Sequence, residues 1–130
     1  MYERAKNNFA LTKKKIGYAE DFFKKDDLNE AIHYIWIVFE NCINIVKDIK
    51  NQKPIKEHKT KIDVFDAYYN IGILKQNYSI YFELLEKLRV RADFGDYALA
   101  PKIPNKEKVK EYLDKAKELF EETKKIVEGI

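Results

Sequence analysis

The chain has 130 residues, the length of one domain, and its 45% apolar content is sufficient to form a hydrophobic core. With 4 Gly and 3 Pro the composition argues against turn-rich sandwiches and barrels, and 14% aromatic residues argue against disorder. The net charge of +3 is low for a dedicated duplex-DNA-binding protein, and it leaves contact with RNA or a nucleotide open. Cys42 is the only cysteine, which excludes an internal disulfide and favours a cytoplasmic location. The longest apolar run, residues 34–39, is too short to span a membrane.

Apolar spacing predicts two long helices in the first half of the chain. The first runs from about Tyr2 to Phe23 and ends at a charged turn. Asp27 is predicted to cap the second helix, with Glu30 completing a capping box, and that helix continues to about Ile49. The main apolar stripe of the second helix is Leu28, Ala31, Ile32, Ile35, Phe39, Cys42 and Val46, widened by Trp36 and Val38.

The middle of the chain predicts a solvated loop over residues 50–59, followed by a short helix. Thr60 and Asp63 match a second capping box, and Gly72 is expected to end this third helix near residue 71. Asn77 or Ser79 is expected to cap the fourth helix. The predicted core stripe of the fourth helix is Tyr81, Leu84, Leu85, Leu88 and Ala92.

The last predicted helix follows a break at residues 101–104 and is capped by Asn105. One face carries Val109, Tyr112, Leu113, Ala116, Phe120, Thr123 and Val127. The predicted fold is therefore all-α, a single domain over residues 1–130. We expect an antiparallel up-and-down bundle of four long helices plus one short helix.

Few residues suit catalysis or metal binding. Glu30-x-x-His33 matches half of a di-iron carboxylate site, but the only other histidine, His58, falls in the predicted loop. We therefore predict no metal and no cofactor. Cys42 is interpreted as a small core residue rather than a nucleophile. The run Lys13-Lys14-Lys15 is interpreted as a solvated face rather than a nucleic-acid patch.

A stripe on the second helix lies away from its predicted core. His33, Ile37, Glu40 and Asn44 share this stripe at helical spacing. The stripe is either a solvated face or a surface that contacts a partner or lines a cleft. Ile37, in the middle of the stripe, favours the second interpretation.

The most unusual segment lies at the end of the fourth helix, where two of the three arginines fall within three residues. Arg89, Asp93 and Asp96 share one helical face, and Tyr97 borders it. Arginine is preferred where planar, bidentate contact with phosphate or carboxylate matters. The alternative is an exposed ion pair of little energetic consequence, about 0.3–0.5 kcal/mol.

This segment resembles the HEPN superfamily, specifically its small prokaryotic type with an Arg-x-x-Ala-Asp-aromatic-Gly motif. Arg89, Ala92, Asp93, Phe94 and Gly95 match the motif, and the resemblance extends over most of the chain. Further matching positions, each weak alone, are residues 26–31, Trp36, Phe39, Glu40, Lys53, Pro54 and His58.

The resemblance implies a helical bundle that commonly dimerises and that often acts with a minimal nucleotidyltransferase in toxin–antitoxin or defence modules. The ribonuclease members carry a histidine four to six residues after an arginine, and none follows Arg89 or Arg91. Efficient ribonuclease activity is therefore not expected, because no imidazole serves as the acid–base group at that position.

On this resemblance, the site residues contact an RNA or a nucleotide. Arg89 and Arg91 would contact phosphate, oriented by Asp93 and Asp96, and an aromatic residue, Phe94 or Tyr97, would stack on a base. The resemblance also implies two alternatives for Tyr97: a partner nucleotidyltransferase would add AMP to it, or it would simply pack at the bundle edge with its hydroxyl in water.

The same resemblance, together with the small size of the bundle, predicts a homodimer. The segments spanning residues 89–97 would face each other or line one groove. Two alternatives remain for the function: an active ribonuclease with a variant site at the dimer cleft, and a structural adaptor that binds another protein.

Overall fold

The computed structural model describes residues 2–50, 58–94 and 102–129, and within these ranges it contains five α-helices and no strand. This confirms the predicted all-α class. Over the same ranges, no helix has both the length and the apolar character needed to cross a bilayer. The helices are α1 (Tyr2–Lys24), α2 (Leu28–Ile49), α3 (His58–Asn70), α4 (Ser79–Phe94) and α5 (Lys106–Glu128).

A tight turn joins α1 to α2 and confirms Asp27 as the helix cap. The Asp27 side chain accepts a hydrogen bond from the backbone N–H of Glu30 at 3.3 Å. The Asp27 N–H itself donates to the Phe22 carbonyl at 2.9 Å, so it is satisfied by the end of α1. Asp26 adopts a φ of 62° between the two helices, a conformation that Asp tolerates better than most residues. The chain therefore reverses within three residues.

The start of α3 differs from the prediction, and its end agrees with it. α3 begins at His58, so Thr60 lies inside the first turn and the predicted Thr60 capping box is wrong. Lysines flank Thr60 and favour helix, which lets the helix continue past a residue that could have capped it. At the other end, Gly72 has a φ of 82° and donates to the Tyr69 carbonyl, while the next N–H, of Ile73, donates to the Tyr68 carbonyl. These two bonds form a Schellman motif.

The connection from α3 to α4 is fixed by side chains of both helices. The Asn77 side chain accepts from the Ser79 N–H at 3.0 Å, so Asn77 is the residue that satisfies the start of α4. Asp66 of α3 accepts from the Asn77 amide at 2.9 Å and from the Ser79 hydroxyl at 2.7 Å. These hydrogen bonds, first that of Ser79, lower the pKa of Asp66.

The buried face of α4 agrees with the predicted stripe at Leu85 and Leu88 and differs from it at Leu84 and Tyr81. Phe82, Leu85 and Leu88 are buried, whereas Leu84 is exposed and Tyr81 is only half-buried. The prediction for Leu84 is therefore wrong. Its physical cause is that α4 is apolar on several sides, so that sequence alone leaves its rotation open.

α2 lies at the centre of the described fold, because it contacts each of the other four helices. Its predicted stripe is buried from Ala31 to Val46, and Trp36 is half-buried on the side toward α4. The predicted face of α5 is buried throughout, and Asn105 caps that helix by accepting from the Lys108 N–H at 3.0 Å. The fully buried residues of α2 are Ala31, Ile32, Ile35, Val38, Phe39, Cys42, Ile43, Ile45 and Val46.

Candidate functional site

Arg89 lies on α4 with its guanidinium against α2. The guanidinium carbon is 4.4 Å from the centroid of the Trp36 ring, which is a cation–π contact. Its Nη2 lies 3.4 Å from Oε1 of Glu86, one turn earlier on α4, and both side chains are 22% exposed. Arg89 is therefore a positioned arginine at the surface, because two neighbours from two helices restrict its orientation.

Glu86 connects Arg89 to Trp36. The Trp36 Nε1–H donates to Oε2 of Glu86 at 2.6 Å, while the other carboxylate oxygen contacts Arg89. Sequence analysis paired Arg89 with Asp93 and missed both Glu86 and Trp36 as site residues. The spacing of Glu86 three residues before Arg89 was a usable signal, since i and i+3 share a helix face. Trp36 has no comparable signal in the sequence, because its position beside Arg89 depends on how α2 packs against α4.

His33 lies beside this cluster. Its ring centroid is 6.3 Å from that of Trp36 and 5.3 Å from that of Tyr34, the second contact being edge-to-face. The imidazole of His33 and the guanidinium of Arg89 thus contact the same Trp36 ring. The structure brings together one residue of the predicted partner stripe and one residue of the Arg89 motif.

The rest of the predicted partner stripe divides between two other environments. Glu40 accepts from Nζ of Lys61 at 2.8 Å, and because Lys61 is buried this ion pair fixes α3 against α2. Asn44 lines a separate cavity of about 180 Å³ between α1 and α2. The stripe is half-buried along its length, so its interpretation as a fully solvated face is wrong. The other residues that line the cavity are Arg4, Asn8, Leu11, Asn41 and Asp48.

The structure describes the remaining residues of the Arg89 motif only in part. The backbone of Arg91, Asp93 and Phe94 belongs to α4, and the side chains of these residues lie outside the described part of the structure. Asp96 and Tyr97 lie outside the described residues altogether. Their roles toward phosphate, a base or AMP stay predictions.

Lys15 of α1 differs from its two lysine neighbours. Lys13 and Lys14 are exposed, as expected of a solvated face, but Lys15 is half-buried over two aromatic rings. Its Nζ is 5.6 Å from the centroid of Tyr18 and 5.7 Å from that of Tyr34. The interpretation of the whole lysine run as a solvated face is therefore wrong for Lys15.

Two further predictions concern metal and thiol chemistry. Among the described residues, no three His, Cys, Asp or Glu side chains lie close enough together to hold a metal ion. Cys42 is fully buried, which confirms it as a core residue. Burial raises the pKa of its thiol to about 12, against a smaller opposing effect of the Thr123 hydroxyl, so the thiol is protonated at neutral pH.

No protein-family model, curated protein or solved structure matches this chain.

Proposed function

We propose that this chain is a HEPN-type helical protein that binds RNA or a nucleotide, or a nucleotidyltransferase partner, within a toxin–antitoxin or defence module. The observation that carries the proposal is the position of Arg89, between the Trp36 ring and the Glu86 carboxylate. Arg89 is also the first residue of the motif on which the resemblance depends. A guanidinium has five N–H donors, so it can contact a carboxylate and a phosphate together.

The proposal includes the finer architecture expected of that superfamily, an antiparallel up-and-down bundle of the four long helices. Contacts between opposite ends of helices support it. Arg4, near the start of α1, pairs with Asp48, near the end of α2. Phe9, in the first half of α1, stacks on Phe120, in the second half of α5, at a centroid distance of 4.5 Å.

The proposal also includes a homodimer, a minimal nucleotidyltransferase as partner and a cytoplasmic location. A single cysteine that is buried and outside any disulfide suits a reducing compartment. The low net charge of +3 suits a ligand bound at one positioned site better than a long duplex.

A second candidate function, metal-independent cleavage of RNA, is favoured by the position of His33. The ribonuclease motif lacks its histidine after Arg89, and the imidazole of His33 contacts the same Trp36 ring as this arginine does, which supports His33 as a substitute. An imidazole beside a phosphate-binding arginine has the composition needed for acid–base cleavage of RNA. In this variant, α2 supplies the histidine that α4 lacks.

One experiment tests both functions on four variants: Arg89→Ala, Arg89→Lys, His33→Gln and, as the matched control, Lys87→Ala, an exposed cation of the same helix. Binding of uridine monophosphate and of a single-stranded oligouridylate is measured by calorimetry and fluorescence anisotropy. Arg89→Ala should weaken both by about tenfold or more, Arg89→Lys by less because only the planar fork is lost, and Lys87→Ala hardly at all.

The thermal unfolding curve of each variant distinguishes a loss of binding from a loss of folding. Binding by wild type that Arg89→Ala leaves unchanged contradicts the role of Arg89, and a wild-type protein that binds neither probe contradicts the binding of RNA or a nucleotide. Gel analysis of the same RNA reports the second function. Cleavage without added metal that both Arg89→Ala and His33→Gln abolish would establish the ribonuclease.

A further inference from the structure

A continuous line of aromatic rings extends from α1 across α2 to Arg89. Tyr18 of α1 lies 5.4 Å from Tyr34 of α2, which lies 5.3 Å from His33, which lies 6.3 Å from Trp36, all between ring centroids. We call Tyr18, Tyr34, His33 and Trp36 the ring path. Its far end is closed by the Arg89 guanidinium at 4.4 Å from Trp36.

The ring path carries a cation at each end. The Lys15 ammonium lies over Tyr18 and Tyr34 at the α1 end, and Arg89 lies over Trp36 at the α4 end. Tyr18 is 44% exposed, and the other three rings are half-buried, so solvent reaches all four. A cluster that only filled the gap between helices would be expected to be buried and apolar, whereas this one is accessible and cationic.

Such a surface matches the chemistry of a single polynucleotide strand. Base faces stack on aromatic rings whatever the sequence, and the phosphates between them favour nearby cations. A duplex offers no free base faces, because its bases already stack on one another. The four steps of 4.4 to 6.3 Å extend over several nucleotides, since stacked nucleotides rise about 3.4 Å each.

We propose that the ring path binds single-stranded nucleic acid, with a base stacked on the exposed ring of Tyr18 and with phosphates beside Lys15 and Arg89. The Tyr34 ring, which itself stacks on Phe22 at 5.7 Å between centroids, supports Tyr18 from below. The inference extends the proposed function and rests on it at one point, because Arg89 belongs to both. It adds a substrate class, a strand rather than a mononucleotide, and a second helix, α1, to the binding surface.

The test uses the full chain with substitutions at exposed or half-exposed positions that leave the core intact. Tyr18→Leu removes the outermost ring, and Lys15→Gln removes the cation and keeps the rings. The matched control for the first is Tyr69→Leu, because Tyr69 on α3 has the same exposure of 44%. The control for the second is Lys13→Gln, an exposed lysine of α1.

The probes are an oligouridylate and an oligodeoxythymidylate of about twelve nucleotides, a length within the usual range for a stacking surface. A duplex of the same length and uridine monophosphate complete the set. Fluorescence anisotropy gives the affinities at several salt concentrations. Because Trp36 is the only tryptophan, quenching of its fluorescence reports directly on the middle of the ring path.

We expect Tyr18→Leu to weaken binding of the single strand by about tenfold, the effect of one lost stacking contact. Tyr69→Leu and Lys13→Gln should bind as wild type does. Lys15→Gln should reduce the slope of log affinity against log salt by about 0.7, one phosphate contact on a single strand. The affinities for the RNA and the DNA strand show which of the two sugars the surface prefers.

Several outcomes overturn the inference: equal affinity of wild type and Tyr18→Leu, equal loss in Tyr69→Leu, or a duplex that competes as well as the single strand. The mononucleotide separates the inference from the proposed function. If Arg89→Ala weakens uridine monophosphate while Tyr18→Leu leaves the strand unaffected, the Arg89 site stands and the ring path is wrong. If the strand depends on Tyr18 and neither probe depends on Arg89, stacking at Tyr18 stands, and both the Arg89 site and the phosphate contact at the Arg89 end of the ring path are wrong.

Discussion

The Glu86 carboxylate contacts residues of two helices and orients the arginine one turn later on α4. One of its oxygens accepts from the Trp36 indole and the other contacts Arg89, so it links α2 to α4 and orients the arginine at the same time. An arginine that is already oriented loses less conformational freedom when a ligand binds. Packing between α2 and α4 thus restricts the orientation of the proposed binding residue.

A second residue-scale feature joins the start of α1 to the end of α2. Arg4 donates two hydrogen bonds to the carboxylate of Asp48, one from Nε to Oδ2 at 3.1 Å and one from Nη2 to Oδ1. Asp48 is buried while Arg4 stays largely exposed. The hydrogen bond from Arg4 lowers the pKa of Asp48 below its ordinary value, against the opposing effect of burial.

This pair predicts a pH-dependent contribution to stability. Because the folded-state pKa of Asp48 lies below the unfolded value of about 3.9, its contribution is present above that value and is lost as pH falls through the folded pKa. Asp48→Asn should therefore lower the melting temperature by a few degrees near neutral pH, and the difference from wild type should vanish in strong acid.

Thermal unfolding followed by circular dichroism across this pH range measures the effect. The control is Asp114→Asn, whose partner Lys110 and own side chain are both half-exposed on α5, and its melting temperature should match wild type throughout. A difference for Asp48→Asn that persists unchanged in strong acid would show that the ionised carboxylate is not its source.

At the scale of residues, the sequence identified Arg89 but not its surroundings. The rarity of arginine and the motif around Arg89 were visible in the chain. Trp36 and Lys15 were assigned to the core and to a solvated face, because spacing along one helix cannot show which ring of a second helix will lie beside it. Contacts of this kind depend on the rotation of each helix, which the whole core determines.

At the scale of elements, two glycines with different backbone conformations allow a matched test. Gly72 ends α3 with a φ of 82°, in the left-handed region, where a side chain is strained. Gly17 lies inside α1, where glycine is weaker than alanine as a helix former. At both positions an added Cβ meets no heavy atom within 4 Å, so the backbone alone determines the effect.

Alanine should therefore have opposite effects at the two sites. Gly72→Ala should lower the free energy of unfolding by about 1 kcal/mol, the cost of a left-handed residue with a side chain. Gly17→Ala should raise it by about 0.5–1 kcal/mol. Urea denaturation gives both values, provided that the slope against urea stays constant. A stabilising Gly72→Ala would show that the turn relaxes into another conformation.

Element boundaries could be predicted where a capping residue met a strongly amphipathic stretch. Asp27 and Asn105 are such cases, since each stands before a helix with a single clear apolar stripe. Thr60 offered the same local signal but precedes a weakly amphipathic helix, and α3 begins two residues earlier. For the same reason, the sequence does not determine the rotation of α4 about its own axis. Phe82 and Leu84 are comparable candidates for burial, and only the packing of α4 against α2 and α3 selects between them.

At the scale of the whole molecule, the central position of α2 explains why one helix contributes to core, cavity and candidate site together. The inner face of α2 is fully buried. The side chain of Tyr34 lies on one edge of this face and contacts α1, and the side chain of Trp36 lies on the other edge and contacts α4. The outer face of α4 has no such cover in the described part of the chain. Ile80 and Leu84, one turn apart, are 65% and 40% exposed there.

The exposed strip on α4 leads to a prediction about the proposed homodimer. Ile80 and Leu84 lie on the outer face of the helix that carries Arg89, so a second copy that covered them would pair the two α4 helices within the homodimer that the resemblance implies. Light scattering should therefore show a dimer at high micromolar concentration, and Leu84→Glu should shift it to monomer because a buried charge opposes association.

The control is Ile71→Glu, since Ile71 follows α3 and is even more exposed at 68%. It should remain dimeric. A wild-type protein that is strictly monomeric would refute the dimer, and a Leu84→Glu variant that dimerises like wild type would exclude α4 as the interface.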